Sequence, residues 1–241
     1  MSNIWWIARR ELSYYLRSPV GWIVIAAALA IDGFFFNVFA VGSGQHKSSE
    51  VLEWFFLYTG GSSLFAAAFI SMRLFAEERQ SGTIVLLYTS PIKEYQLVLG
   101  KFLSALTFLM LFVVLTPYMP ALILLHGKVS LAHILAGYLG VLLIAATGLA
   151  LGLLCSALAP NQLVAIIATA AVLFMFVLFW ALSRIASPPV EDLIAYLSIF
   201  DKHFRPFMRG LVSVSDVVFY VSLTYVALLT ATRVIEARRW L

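Results

Sequence analysis

Charge is scarce in this sequence: Asp, Glu, Lys and Arg together make up 12% of the 241 residues, against roughly 25% in an ordinary soluble domain. A water-soluble fold could not cover its core with so few polar groups. Cysteine is almost absent too, and the single Cys155 excludes an intrachain disulfide and any thiolate metal cage. No Gly-x-x-x-x-Gly-Lys-Ser/Thr stretch occurs, so the chain has no phosphate loop of its own. Gly-x-Ser-x-Gly, His-Glu-x-x-His and paired intramembrane carboxylates are missing as well, which argues against an intramembrane hydrolase or transferase. His46, His126, His133 and His203 stand far apart without ligand spacing, and are expected to be solvated or interface-facing. No block of Lys and Arg with interleaved aromatics supports nucleic-acid binding. No internal repeat is visible, and the two halves are not copies, unlike transporters built from inverted repeats.

What the sequence has in abundance is apolar length. Hydrophobic residues account for 62% of it, and the mean hydropathy is +0.96. In a bilayer, backbone groups must be satisfied within the segment, so long apolar runs imply helices. Six runs approach the roughly twenty residues needed to cross the hydrocarbon core: about 20–41, 54–75, 99–125, 131–155, 162–184 and 216–235. The expected fold is an all-α membrane protein.

Residues 1–17 mix Trp5, Trp6, Tyr14 and Tyr15 with Arg9, Arg10 and Arg17, a composition suited to a helix lying in the membrane interface. Ser18-Pro19 is expected to cap and start the first span. That run is too long for a signal-peptide core and is expected to remain as a span. Thr116-Pro117 and Pro120 predict a kink or break in the third span. Segment 185–215 is too apolar for a free loop and too charged for a span, and predicts a re-entrant outer element.

With the N-terminus inside, ten basic residues fall on the inner segments: Arg9, Arg10, Arg17, Arg73, Arg79, Lys93, Lys101, Arg233, Arg238 and Arg239. Six fall outside: Lys47, Lys128, Arg184, Lys202, Arg205 and Arg209. The asymmetry predicts both termini in the cytoplasm.

Segment 76–98, FAEERQSGTIVLLYTSPIKEYQLV when Phe75 is included, carries the clearest functional signal. Glu77-Glu78-Arg79 ends the second span, Gly82 breaks the helix, and Thr83 opens a short apolar stretch. Ser90-Pro91 then punctuates the start of the next helix. Such a knob suits a groove on a soluble partner; an ordinary hairpin anchoring spans two and three fits equally well.

Glu77-Glu78-Arg79-x-x-Gly82-Thr83 followed by Leu86-Leu87-x-Thr89-Ser90-Pro91 resembles the first cytoplasmic loop of ABC-2-type transporter permeases. Phe204–Ser222, with Phe204, Phe207, Arg209 and Gly210, looks more particularly like the gliding-motility-associated branch. The resemblance implies a permease of the bacterial inner membrane whose loop engages a separate nucleotide-binding ATPase. ATP and magnesium would belong to that ATPase and no cofactor to this chain. It also implies a second permease subunit, expected to be an identical copy, with an accessory periplasmic or membrane subunit left open. Phe204, Phe207, Arg209 and Gly210 would form an outer gate or lid, or a cap that seals the bundle. A non-transporting scaffold in a larger membrane complex is the alternative.

Three further features are singled out. Asp32 lies a dozen residues into span one, where an ionisable side chain is costly and marks a functional candidate; the competing reading places it near the outer end, hydrated or paired with Arg184 or another outer base. Gly148 and Gly152 allow close helix approach, expected within the chain rather than across a dimer. Cys155 is expected to be a small packing residue.

Overall fold

The structure is a computed structural model, and it describes residues 2–41, 47–85, 92–127, 129–185 and 190–239. These residues are helical with no strand among them. Helix α1 spans Ser2–Arg17 and α2 Pro19–Phe36, the latter extended by a wider π-type turn over Asn37–Val41. Then come α3 (Ser48–Ser71), the one-turn α4 (Ala76–Gln80), α5 (Glu94–Leu115) and α6 (Tyr118–His126). The chain continues with α7 (Leu131–Leu158), α8 (Gln162–Ser183) and the short α9 (Val190–Leu197). A π-type turn over Ile199–Phe204 leads into α10 (Arg205–Met208), and α11 (Val214–Arg239) closes the bundle. Among the described residues six helical stretches are long and apolar enough to cross a membrane, so the chain is an all-α, multi-pass membrane protein. The bundle has a near end, which carries α1, and a far end opposite it.

Local sequence explains most boundaries. Ser130 and Asn161 cap α7 and α8, their side chains accepting from the backbone N–H of His133 and Val164. Thr116-Pro117 ends α5 at Leu115, and the chain resumes as α6; the Thr116 hydroxyl bonds back to the Val113 carbonyl at 2.8 Å. The second spanning helix begins at Ser48, six residues before its apolar run, because Ser48, Ser49 and Glu50 suit a helix N-terminus as well as they suit a loop. Ser18 departs from expectation. Its hydroxyl does not cap α2 and instead accepts from Arg73 Nη1 at 2.8 Å, because a guanidinium outcompetes a backbone amide as donor.

Helices α3 and α7 form the centre, and α1 lies across the near end of α5, with Ile7 seated over Gly100. Close approach between α3 and α7 is set by small residues. Gly148 faces Leu64, Gly152 faces Ser71 and Gly137 faces the Phe56 ring, so the Gly-x-x-x-Gly pair serves intrachain packing. Trp5 and Trp6 of α1 point away from the bundle, 68% and 63% exposed. Apolar faces of α2, α8 and α11 are left uncovered, among them Ile23, Phe34, Ile167, Phe174, Val218 and Tyr225.

Segment 198–208 returns between the helices from the far end, after the exposed α9. The Phe204 ring sits against Gly60, about 18 Å along α3 from Ser48 at 1.5 Å per residue. Phe207 packs on Gly140 of α7, and both rings are fully buried.

Candidate functional site

The charged segment that follows α3 is the centre of a near-end network. Its first layer is a pair of helix ends that cap each other. The N-terminus of α4 has no side-chain cap of its own. Ser156 of α7 supplies one, its Oγ accepting from the backbone N–H of Phe75 at 3.0 Å and of Ala76 at 3.1 Å. In return, Arg79 of α4 reaches the end of α7. Nη1 donates to the Ala159 carbonyl at 2.7 Å and Nη2 to the Ala157 carbonyl at 2.9 Å. The last carbonyls of a helix lack internal partners and carry the negative end of its dipole, so a guanidinium is well matched there. Segment 72–80 is thereby fastened to α7, the most central helix.

The second layer ties α1 and α2 to the same segment. Arg73 donates through Nε to Glu77 Oε2 at 2.8 Å, through Nη2 to the Tyr14 hydroxyl at 2.7 Å, and through Nη1 to Ser18. Tyr14 in turn donates to Glu77 Oε1 at 2.9 Å. Beneath them Lys101 of α5, only 1% exposed, donates to Glu78 Oε1 at 2.8 Å and approaches Glu11 of α1 at 3.5 Å. Its ammonium also lies 5.3 Å from the centre of the Phe75 ring. Burial works against the charge on Glu11, but Lys101 and then Arg10 overcome it and hold the carboxyl below the usual glutamate range. Tyr15 donates to the Ile70 carbonyl, and burial pushes its hydroxyl up.

The candidates Glu77, Glu78 and Arg79 are thus engaged within the chain, and none of them is a free docking charge. What projects is the following turn. Gly82 has φ +73°, a left-handed conformation open to glycine at little cost. Ser81, Gly82 and Thr83 are exposed, and Val85 is 60% exposed. The Thr83 hydroxyl lies 2.8 Å from that of Ser81 and bonds within the turn. A cavity of about 420 Å³ opens beside the turn, between α1 and segment 73–83, with Arg10, Glu77 and Lys101 in its wall. Ser90 and Pro91, with Leu86, Leu87 and Thr89, lie outside the described residues.

At the far end, Phe204 and Phe207 are core residues rather than surface ones. Arg209 bonds Glu53 of α3 at 3.0 Å. Gly210, at φ +78°, turns the chain against the His133 ring. His133 donates through Nε2 to the Met208 carbonyl at 2.7 Å. His203 corrects the expectation of solvated or interface-facing imidazoles. His203 is 1% exposed, with Nδ1 2.7 Å from Asp216 Oδ1 and Nε2 2.9 Å from the Tyr196 carbonyl. Its ring stacks on Phe219 at 3.8 Å. Sequence reasoning missed this pair because thirteen residues and a reversal of chain direction separate its members. His46 and the His126 side chain lie outside the described residues.

Asp32 is buried in the bundle, 1% exposed, and accepts from Ser62 of α3 at 2.7 Å. Its partner is a serine hydroxyl, not an outer base. Cys155 is buried in α7 as a packing residue. Among the described residues no group of three or more His, Cys, Asp or Glu could hold a metal ion.

No curated protein matches the chain. A family profile described as ABC-2 family transporter protein matches residues 5–231, nearly the full length and all six long helices. Such a family implies an ATP-binding subunit as partner. The chain belongs to the ABC-2 family of transporter proteins, as a multi-pass membrane component.

Proposed function

We propose that this chain is the permease subunit of an ATP-binding cassette transporter, moved by a separate ATPase that docks on the near end. The observation that carries the reading is the reciprocal cap between α4 and α7. A force applied to the exposed turn at Ser81–Val85 passes through Arg79 and Ser156 into the central helix, without a flexible link between. In this reading Glu77, Glu78 and Arg79 transmit and Gly82, Thr83 and their neighbours make contact, with Ser90 and Pro91 completing the loop. ATP and magnesium reside in the partner, and this chain is not an enzyme.

The basic residues of α1 and of the α11 terminus lie at the near end, which supports placing that end and both termini in the cytoplasm of a bacterial inner membrane. A second permease, an identical copy, would cover part of the open faces of α2, α8 and α11. Segment Phe204–Met208, wedged between α3 and α7, would act as the outer gate, with Arg209 and Gly210 setting its return. The aromatic stretch and glycine before α11 support a place near the gliding-motility-associated permeases. Work done on the far side, by export or by force on an outer partner, fits spans with few polar positions.

The test is purification from native membranes in mild detergent, assayed for bound ATP hydrolysis. Wild type should retain the ATPase. Val85→Glu and Gly82→Val should lose it while the permease stays folded, since both positions project from the bundle. If the variants retain it as well as wild type, the turn is only a hairpin. Absence of any ATPase from wild type would favour a scaffold role instead.

A further inference from the structure

Asp32 is a carboxylate buried among hydrocarbon with only half of its hydrogen-bonding capacity used. Oδ1 accepts from Ser62, but Oδ2 is buried with no hydrogen bond of ordinary geometry among the described residues. The hydroxyl of Thr59, a turn before Ser62 on the same helix, is buried beside the same carboxyl and makes no hydrogen bond of ordinary geometry among the described residues. Beside the carboxyl is a cavity of about 10 Å³, the size of one water molecule. Its other walls are apolar or aromatic, chiefly Phe35, Phe36, Trp54, Phe55 and Tyr58.

An ionised carboxylate in this setting lacks the compensation that burial of a charge demands. The groups facing it do not supply a counter-charge. From α3 it meets Tyr58, and from α7 Tyr138, whose hydroxyl lies 3.0 Å from that of Thr116. From α6, Met119 lies over the adjacent Gly33, and α5 contributes Phe108 lower down, against Gly21. A hard metal cation would want six or more oxygen ligands. Here one carboxyl and two hydroxyls are at hand, and the remaining wall is rings. A proton suits the site better. It adds to Oδ2, forms an O–H bond, breaks none, and takes the group from negative to neutral. The resulting acid can donate toward an acceptor such as Thr59 Oγ1.

Trp54 lines this cavity and also a second one of about 210 Å³ at the far end. The second is walled by Glu50, Glu53, Asp201 and Arg205. Arg205 pairs with Asp201 at 3.3 Å and Arg209 with Glu53 at 3.0 Å. Three acids and Arg205 thus frame a far-end mouth that shares the Trp54 indole with the Asp32 cavity.

We propose that Asp32 is a proton-binding site within the membrane-spanning bundle, loaded from the far end through the Glu50, Glu53 and Asp201 mouth past Trp54. The test uses the purified full-length chain in detergent and does not depend on any ATPase, so it stands apart from the transporter reading. Dicyclohexylcarbodiimide, which modifies protonated carboxyl groups in apolar surroundings, is applied across a pH series, and the modified peptides are mapped by mass spectrometry. Label is expected on Asp32, declining as pH rises, equal in sodium, potassium and choline buffers, and lost in Asp32→Asn. Trp54→Ala should speed labelling, as the barrier to the mouth is removed. Wild type unlabelled at every pH would overturn the proposal. Sodium-dependent protection at constant pH would overturn it in favour of a metal-cation site, and label unchanged by Trp54→Ala would overturn the route.

Discussion

Lys101 Nζ and Glu78 Oε1 lie 2.8 Å apart under the near-end network, joining α5 to the segment that follows α3. The lysine is almost fully buried, and the two acids that face it, Glu78 and Glu11, are 18% and 14% exposed. A buried cation shared by two acids is a junction that is costly to break from one side. Lys101→Met should therefore lower stability by about 3–5 kcal/mol. Thermal unfolding in detergent, followed by tryptophan fluorescence, checks this. A melting point unchanged from wild type would show that the junction carries no net stability.

Glu11 gives that junction a pH dependence. Its carboxyl is held below the ordinary value of 4.5 in the folded state, with Lys101 and Arg10 overcoming the effect of burial. A depressed carboxyl contributes its full stability above the unfolded value and loses it as pH falls through the folded one. The stability curve of wild type should thus fall on acidification below about pH 4.5 more steeply than that of Glu11→Gln. The two curves measured side by side decide it; parallel curves would remove Glu11 from the acid response.

Gly60 and Gly61 are neighbours with opposite surroundings. A Cβ on Gly60 would come within 2.6 Å of the Phe204 ring, which is itself pinned against Gly140, whereas nothing lies within 4 Å of one on Gly61. Gly60→Ala should cost about 1–3 kcal/mol by overpacking. Gly61→Ala should be neutral or gain about 0.5–1 kcal/mol, since a helix interior favours alanine over glycine. Equal melting points for the two variants would mean that segment 199–208 is not seated where it is described.

His203 and Asp216 should behave as one unit. Each of His203→Leu and Asp216→Leu leaves a buried polar partner without its hydrogen bond and should destabilise by roughly 1–3 kcal/mol. The double variant should fall short of the sum, with a coupling of roughly 0.5–3 kcal/mol. Strict additivity in a thermal double-mutant cycle would show that the 2.7 Å contact contributes nothing of its own.

Much of the architecture was legible in order along the chain. Apolar runs near the length of a bilayer have one way to satisfy their backbone, so the six long helices followed from composition and spacing. Thr116-Pro117 marked its break, because such an effect acts over three or four residues. The loop motif was visible as residue types, and the family with it. Which of those residues face a partner was not visible. Glu77, Glu78 and Arg79 have the composition of an exposed charged patch, yet Arg79 spends its guanidinium on carbonyls 78 and 80 residues away. Ser18 had the position of a cap and became an acceptor for an arginine 55 residues distant. His203 had nothing local to distinguish it from a surface histidine until the chain reversed and brought Asp216 to it.

The sequence by itself determined that this is a six-span helical membrane protein with a charged segment after its second span, because hydrophobic length and helix punctuation are local properties. Only the tertiary structure decided that this segment is clamped to α7, that Phe204 and Phe207 fill the glycine gaps of α3 and α7, and that Asp32 is left half-satisfied in the bundle. Those outcomes depend on which helix faces meet, and a side chain finds its partner only when packing brings together parts of the chain that are far apart in sequence.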